Sequence, residues 1–273
     1  MSPTTGFLLG LVQGLTEFLP MSSSGHLVLA EHFLGVTGGT AFFDVFLHLA
    51  TFLAAVVALR TELVRIMAFL ASTMGIRWVS LRSDELREGR RLFLALVIGT
   101  IPAAVAGLLF RDALSVLADS PRFVGFALLV TGLVLVATRL APNGTAQLDA
   151  TSALAIGFAQ ALALLPGVSR SGMTVAAGLF AGVRRERVVR FSFLLSLPAV
   201  LATAVLKLRQ EDLVMGQLTP LTLAVAFVTA LVSGFLALQL MVRVVVSGKL
   251  TFFGIYCIAV GVAALVFLPA ARP

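Results

Sequence analysis

Two short polar runs in an otherwise apolar chain carry residue types that can do chemistry. The first, Gln13 to His26, holds a carboxylate (Glu17), three consecutive hydroxyls (Ser22, Ser23, Ser24), a glycine (Gly25) and an imidazole (His26). Gln13 and Glu17 are four residues apart, so on a helix they share a face. The second run, Pro166 to Thr174, holds a guanidinium between two hydroxyls (Ser169, Arg170, Ser171), followed by Gly172 and Thr174, with Gln160 just upstream. Carboxylate, hydroxyl and imidazole are the groups of nucleophilic and acid–base chemistry. Arginine flanked by serines at a helix start suits an anion such as phosphate. Ser24 and Ser171 each precede a glycine and an apolar stretch, which predicts both as N-caps. Two half-helix N-termini then point their N–H groups and positive dipole ends at one centre. A buried Arg170 needs an anionic partner, and Glu17 can serve when no ligand is bound.

Plainer readings exist for each group. Serines beside a turn are ordinary helix caps, although one cap needs only one serine. Arg170 with Glu17 can be a structural lock alone. His48, inside an apolar span, reads as a satisfied buried histidine; His32 reads as interfacial and Asp44 as a membrane-edge residue. The arginines of 184–190 read as a positive-inside anchor. His26 follows Ser23 by three residues in a turn suited to phosphate, which favours a chemical role.

The elements that position these runs must be membrane elements. Of the 273 residues, 59% are hydrophobic and 12% charged, and the mean hydropathy is +1.05. Soluble domains carry about 25% charged residues, so a water-soluble globule is excluded. Six stretches predict membrane spans: Phe42–Leu59, Leu92–Phe110, Phe123–Leu140, Phe191–Leu206, Leu218–Val242 and Leu250–Ala271. Two further apolar stretches are interrupted by the polar runs. They are Phe7–Leu19 with Leu27–Val36, and Ala153–Leu165 with Met173–Val183. Each half is too short to cross alone, which predicts two re-entrant hairpins (5–36 and 153–183). Glu62–Arg91, with the only tryptophan (Trp78), predicts a loop carrying an interfacial amphipathic helix near Leu63–Leu70. Gly6–Val12 has neither a preceding basic residue nor a following small-residue cleavage site, so no cleavable signal peptide is expected. A single cysteine, Cys257, excludes an internal disulfide, and three histidines leave little room for a histidine-built metal cluster. The net charge of +7 fits arginine-rich loops on one membrane face, and no nucleic-acid partner is expected.

An internal repeat organises the spans. Residues 10–36 laid on 157–183 give eleven identities in 27 ungapped positions, including Gln13 on Gln160, Ser22 on Ser169, Ser24 on Ser171 and Gly25 on Gly172. Leu164 stands where Glu17 would repeat, and Met173 where His26 would, so the first half carries acid and base and the second the cation. Residues 1–141 and 142–273 each contain one hairpin and three spans. Three spans between the hairpins put the second hairpin on the opposite face. The expected fold is an all-α polytopic membrane protein with an inverted-topology repeat and its site near the midplane. Arginines crowd the face that holds residues 60–91 and 184–190, which predicts that face as cytoplasmic and both termini outside.

Gln-Gly-Leu-Thr-Glu-Phe-Leu-Pro-Met-Ser-Ser-Ser-Gly-His (13–26) and Pro-Gly-Val-Ser-Arg-Ser-Gly-Met-Thr (166–174) resemble the two signatures of the undecaprenyl-diphosphate phosphatases, the bacitracin-resistance type. The resemblance extends over essentially the whole chain in length, segment order and spacing. It implies removal of the terminal phosphate of undecaprenyl diphosphate, a polyprenyl lipid of the bilayer, to give the monophosphate carrier reused in cell-wall synthesis. It also implies a divalent cation (Mg2+ or Ca2+), held through Glu17, and a site open to the outer face of the cytoplasmic membrane. Glu17, Ser23, His26 and Arg170 match the family's essential residues. Gln13, Ser22, Ser24, Gly25, Gln160, Ser169, Ser171, Gly172 and Thr174 are expected around the substrate. The family's first motif takes Glu or Gln at its first position; with Gln13, Glu17 is the only carboxylate of this turn. Ser23, His26 or water can each be the nucleophile, with Glu17 binding metal or orienting His26. A homodimer is left open. The rival class is a transporter or flippase for an anionic lipid or phosphate, since inverted repeats with half-helix termini also serve transport.

Overall fold

The computed structural model describes residues 1–36, 41–76, 82–110, 120–210 and 218–267, together with positions 114 and 117. Regular structure among them is helical, apart from one isolated parallel bridge between Ala146 and Val183. In chain order the helices are α1 (Pro3–Phe18), α2 (Ser23–Phe33), α3 (Ala41–Ala58), α4 (Arg60–Thr73), α5 (Ser83–Leu109) and α6 (Pro121–Ala137). Then come a 3-10 turn (Thr138–Leu140), α7 (Ala150–Leu162), α8 (Arg170–Phe180), α9 (Arg185–Gln210), α10 (Pro220–Val246) and α11 (Thr251–Phe267). A hydroxyl cap followed by proline starts α1 (Ser2-Pro3), α6 (Ser120-Pro121) and α10 (Thr219-Pro220), each cap accepting a backbone N–H.

Four of the described helices are long and apolar enough to cross a membrane: Ser83–Leu109, Arg122–Leu140, Arg185–Val205 and Pro220–Val246. The α3–α4 pair passes the same test but bends by 78° at its junction. The chain turns its apolar surface outward. Ile101, Val105 and Leu108 of α5 and Val228, Val232 and Leu236 of α10 are exposed, while Gln13, Glu17, Thr51, Ser169 and Thr174 are buried. Lipid, not water, satisfies such a surface, and the protein is a multi-pass membrane protein.

Two sequence expectations are corrected. The helix expected near Leu63–Leu70 is present, but most of the described residues of 62–91 are helical rather than loop. Arg60–Thr73 is one helix, and α5 starts at Ser83 rather than Leu92. The reason is a stripe of buried small and apolar residues (Gly89, Leu92, Ala95, Gly99) that runs back into the charged segment and packs on α4. Arg77 and Trp78 lie outside the described residues, as do the side chain of His32 and residues 268–271 of the last expected span. Two of the arginines of 184–190 also make ion pairs between helices. Arg190 pairs with Glu62 at 2.9 Å and Arg187 with Glu88 at 3.2 Å, tying α9 to α4 and α5.

Glycines set the closest helix contacts. Gly6, Gly10 and Gly14 of α1 face Thr222, Ala226 and Ala230 of α10, and Gly157 of α7 faces Gly99 of α5. Gly125 and Gly132 of α6 meet Gly261 and Gly254 of α11. Small residues at one-turn or two-turn spacing let backbones touch, which supplies packing where lipid gives no hydrophobic drive between helices. The larger core centres on Phe18 and Phe193, whose rings meet edge-on at 5.3 Å, with Leu179, Val188, Phe191 and Leu195 around them. A Cβ at Gly132 would lie 2.6 Å from the Gly254 carbonyl oxygen. Gly132→Leu is therefore expected to lower stability by about 2 kcal/mol, read as the denaturation midpoint in detergent. The same measurement on Leu133→Ala, at an exposed position, should move little.

Candidate active site

The site is assembled where α1 ends and where α2 and α8 begin. Pro20 cannot continue α1, and Leu19 is extended. The chain reverses through Ser22, whose φ of +70° is the one left-handed non-glycine conformation among the described residues. The Ser22 carbonyl accepts the first turn's N–H, from His26, at 3.4 Å, which makes Ser22 the N-cap position of α2. In the second turn Ser169 caps α8, its Oγ accepting the Gly172 N–H at 3.2 Å. The predicted caps Ser24 and Ser171 are thus corrected: both helices start earlier, at Ser23 and Arg170. Each predicted cap instead has its hydroxyl beside that of the true N-cap position, Ser22–Ser24 at 3.5 Å and Ser169–Ser171 at 3.4 Å.

The first residue of each helix binds the same carboxylate. Ser23 Oγ donates to Glu17 Oε2 at 2.8 Å, and Arg170 Nη2 donates to Glu17 Oε1. Gln13 Nε2 donates to Glu17 Oε2 at 3.1 Å and to His48 Nδ1 at 2.9 Å. An amide nitrogen only donates, so His48 Nδ1 is the acceptor there. Glu17 is 7% exposed. It sits where two helix N-termini and a guanidinium converge, so an internal anion fills an anion site. Ser171 Oγ donates to the Leu19 carbonyl at 3.2 Å, and a Cβ on Gly172 would come within 3.3 Å of Pro20 Cβ. The two turns are therefore in direct contact.

His26 faces a different set. Its Nδ1 lies 2.9 Å from the Ser22 carbonyl oxygen and its Nε2 lies 2.6 Å from the Tyr256 hydroxyl of α11. A carbonyl only accepts, so Nδ1 carries a proton; in the neutral imidazole Nε2 then accepts from Tyr256. The expectation that Glu17 orients His26 is corrected: Ser22 and Tyr256 hold the ring.

Not every expected site residue joins the cluster. Thr174 Oγ1 donates to the Arg170 carbonyl at 2.7 Å and shares a hydrogen bond with Ser192 at 2.5 Å, so it braces the start of α8 against α9. Ser169 also has its N–H on Thr131 Oγ1 at 3.1 Å. A Cβ on Gly25 would meet nothing nearer than Val124 at 3.7 Å, so neither its backbone nor a crowded contact demands glycine. Gln160 is 2% exposed and neither end of its amide has a partner among the described residues. Four residues the sequence did not mark belong here: Tyr256, Thr131, Ser192 and Ser196, the last lining a narrow cleft with Glu17 and Thr51. His48 moves from a bland core histidine to a contact of Gln13, with Glu17 Oε2 at 3.6 Å. A lone tyrosine in an apolar span was the one available sequence signal for Tyr256; the hydroxyls of Thr131 and Ser192 gave none.

The donors present decide which metal could be held. No group of three His, Cys, Asp or Glu among the described residues could cage an ion. Glu17 offers one carboxylate, and the buried Gln13 Oε1 beside it has no partner among the described residues. Two oxygens suit a hard cation that takes its remaining ligands from substrate and water.

A family model described as bacitracin resistance protein BacA matches residues 6–263. A protein named undecaprenyl-diphosphatase from Desulfosudis oleivorans is 41% identical over 271 residues, covering 96% of this chain and 97% of its own. One of the same name from Desulforapulum autotrophicum is 38% identical, with 96% of each chain covered. Undecaprenyl-diphosphatase 1 of Shouchella clausii is 37% identical over 98% of this chain and 97% of its own. By family match and by end-to-end similarity, the chain belongs to the BacA family of bacitracin resistance proteins.

Proposed function

We propose that this protein is an integral membrane phosphatase that hydrolyses undecaprenyl diphosphate to undecaprenyl phosphate and inorganic phosphate. It thereby recycles the lipid carrier for cell-wall synthesis and confers bacitracin resistance. The names of its relatives support this. The observation that carries it is the Glu17 carboxylate, held by the first residues of two helices and flanked by a hydroxyl nucleophile.

The chemistry follows from exchanging one anion for another. A terminal phosphate entering between the N-termini of α2 and α8 competes with Glu17 for Arg170. Arg170 turns to the phosphate oxygens, and Glu17 keeps Ser23. Ser23 Oγ attacks the terminal phosphorus, its proton passing to Glu17, and the bond to the bridging oxygen breaks to release the lipid monophosphate. Glu17 hands that proton to the departing lipid monophosphate, then takes a proton from the water that attacks the phosphoserine; the bond to Ser23 Oγ breaks, Glu17 returns the proton to Ser23, and inorganic phosphate leaves. Arg170 and the helix N–H groups stabilise the charge on the transferring group. Glu17 and Gln13 Oε1 are the protein's donors for a divalent cation, which when bound supplies charge neutralisation on the diphosphate. Direct attack by water from the Ser23 position uses the same base. His26 as nucleophile is less well placed, because Nδ1 is committed to Ser22 and Nε2 to Tyr256.

The wider arrangement is read in the same way. Residues 1–141 and 142–273 form two inverted halves, with α1–α2 and α7–α8 as re-entrant hairpins. The packing supports this: α1 lies on α10 while its counterpart α7 lies on α5, the counterpart of α10. The protein sits in the cytoplasmic membrane with the site open to the outer face and the 60–91 and 184–190 arginines inside. A transporter or flippase has no use for a hydroxyl hydrogen-bonded to a buried carboxylate, which places that reading second.

Phosphate release from a polyprenyl diphosphate by the purified protein tests the proposal. Arg170→Ala and Glu17→Gln should each lower kcat by about 100-fold or more. Wild-type turnover in either variant, or lipid binding without phosphate release by the parent protein, overturns it. Chelation with EDTA should stop release, and Mg2+ or Ca2+ should restore it; undiminished release in EDTA removes the cation from the scheme.

A further inference from the structure

Tyr256 is the only tyrosine in the chain, and it lies on α11. Its hydroxyl is 2.6 Å from His26 Nε2, and the two rings are nearly parallel, 22° apart with centroids at 5.7 Å. The next residue, Cys257, is buried and its thiol faces the Pro20 carbonyl at 3.4 Å. One turn of α11 thus touches both the reversal that follows α1 and the imidazole of α2.

The two partners of His26 are not equivalent. The Ser22 carbonyl belongs to the same helix start and can only accept. By itself it leaves the Nε2 edge of a half-exposed ring unheld. The Tyr256 hydroxyl comes from 230 residues away. It can donate to a neutral Nε2 or accept from a protonated one, so it remains a partner through a proton transfer. Its ring also fixes the plane of the imidazole.

We propose that Tyr256 is a positioning residue for His26: the stacked ring and the hydroxyl together hold the imidazole in one orientation beside the first turn. The proposal rests on the phosphatase reading and on a role for His26 within it. It predicts a loss in kcat with little change in KM, because the hydroxyl acts on the orientation of the imidazole rather than on lipid binding.

Tyr256→Phe keeps the ring and removes only the hydroxyl. It is expected to lower kcat about tenfold with KM within about twofold. In a His26→Ala background the same change should have no further effect, since it acts through the imidazole. Wild-type kcat in Tyr256→Phe, or a full additional loss in the double variant, overturns the proposal. If His26→Ala itself turns over at the wild-type rate, the reading of His26 fails and this one falls with it. Impaired His26→Ala beside unimpaired Tyr256→Phe sinks only the role of Tyr256. Incorporated 3-fluorotyrosine gives a single 19F resonance because there is one tyrosine. That resonance should move between the parent protein and His26→Ala regardless of turnover; an unmoved resonance means that the two side chains do not meet.

Discussion

A carboxylate and a guanidinium buried together inside a membrane protein are the constraint on which the rest of this structure depends. Glu17 has 5% of its side chain exposed and Arg170 23%. Removing one partner of such a pair leaves an uncompensated charge, at a cost of about 3–5 kcal/mol. The fold meets this with geometry. The pair joins the end of α1 to the start of α8 across 153 residues, and Ser23 and Gln13 both donate to the other carboxylate oxygen. Two helix starts converge on it, which is the backbone's own way of stabilising negative charge. The same convergence that makes Glu17 tolerable is what makes the site receptive to a phosphate.

Holding that convergence in place requires helices that approach closely without side chains between them. α1 has two adjacent faces. One carries Gly6, Gly10 and Gly14 and lies against α10; the other carries Gln13 and Glu17 and meets His48 and the second turn. A larger residue on the first face would displace the second. The reversal through Ser22 serves likewise, since its left-handed backbone sets a carbonyl where both the N–H and the imidazole Nδ1 of His26 can reach it.

Much of the site could be read from the sequence because its rules are local. Gln13 and Glu17 share a face by spacing alone, and the Arg170–Glu17 pair follows from the cost of a buried charge. The repeat aligned Ser22 with Ser169, and both occupy N-cap positions, yet residue preferences pointed two residues downstream to Ser24 and Ser171. Hydroxyls at alternate positions are interchangeable to a propensity argument, and only backbone torsions choose between them. The start of α5 was missed because charge density hid a stripe of small residues ending at Gly89. Tyr256 and His48 were missed for another reason: each meets the site through tertiary packing, and a single polar residue in an apolar span gives no direction. Repeat logic also marked Gln160, which is buried with neither end of its amide joined to a partner among the described residues.

The contacts of α11 with the first turn have a consequence for biogenesis. Tyr256 meets His26 across 230 residues and Cys257 meets Pro20 across 237. A ribosome-bound chain that has inserted the helices before α11 carries a first turn whose imidazole and Pro20 carbonyl still await these partners. The order of synthesis therefore keeps the N-terminal motif unfinished until α11 has been made. Contacts of such high sequence separation form late and slowly. Until α11 is in place, the first turn lacks both the Tyr256 hydroxyl at His26 and the Cys257 thiol at Pro20.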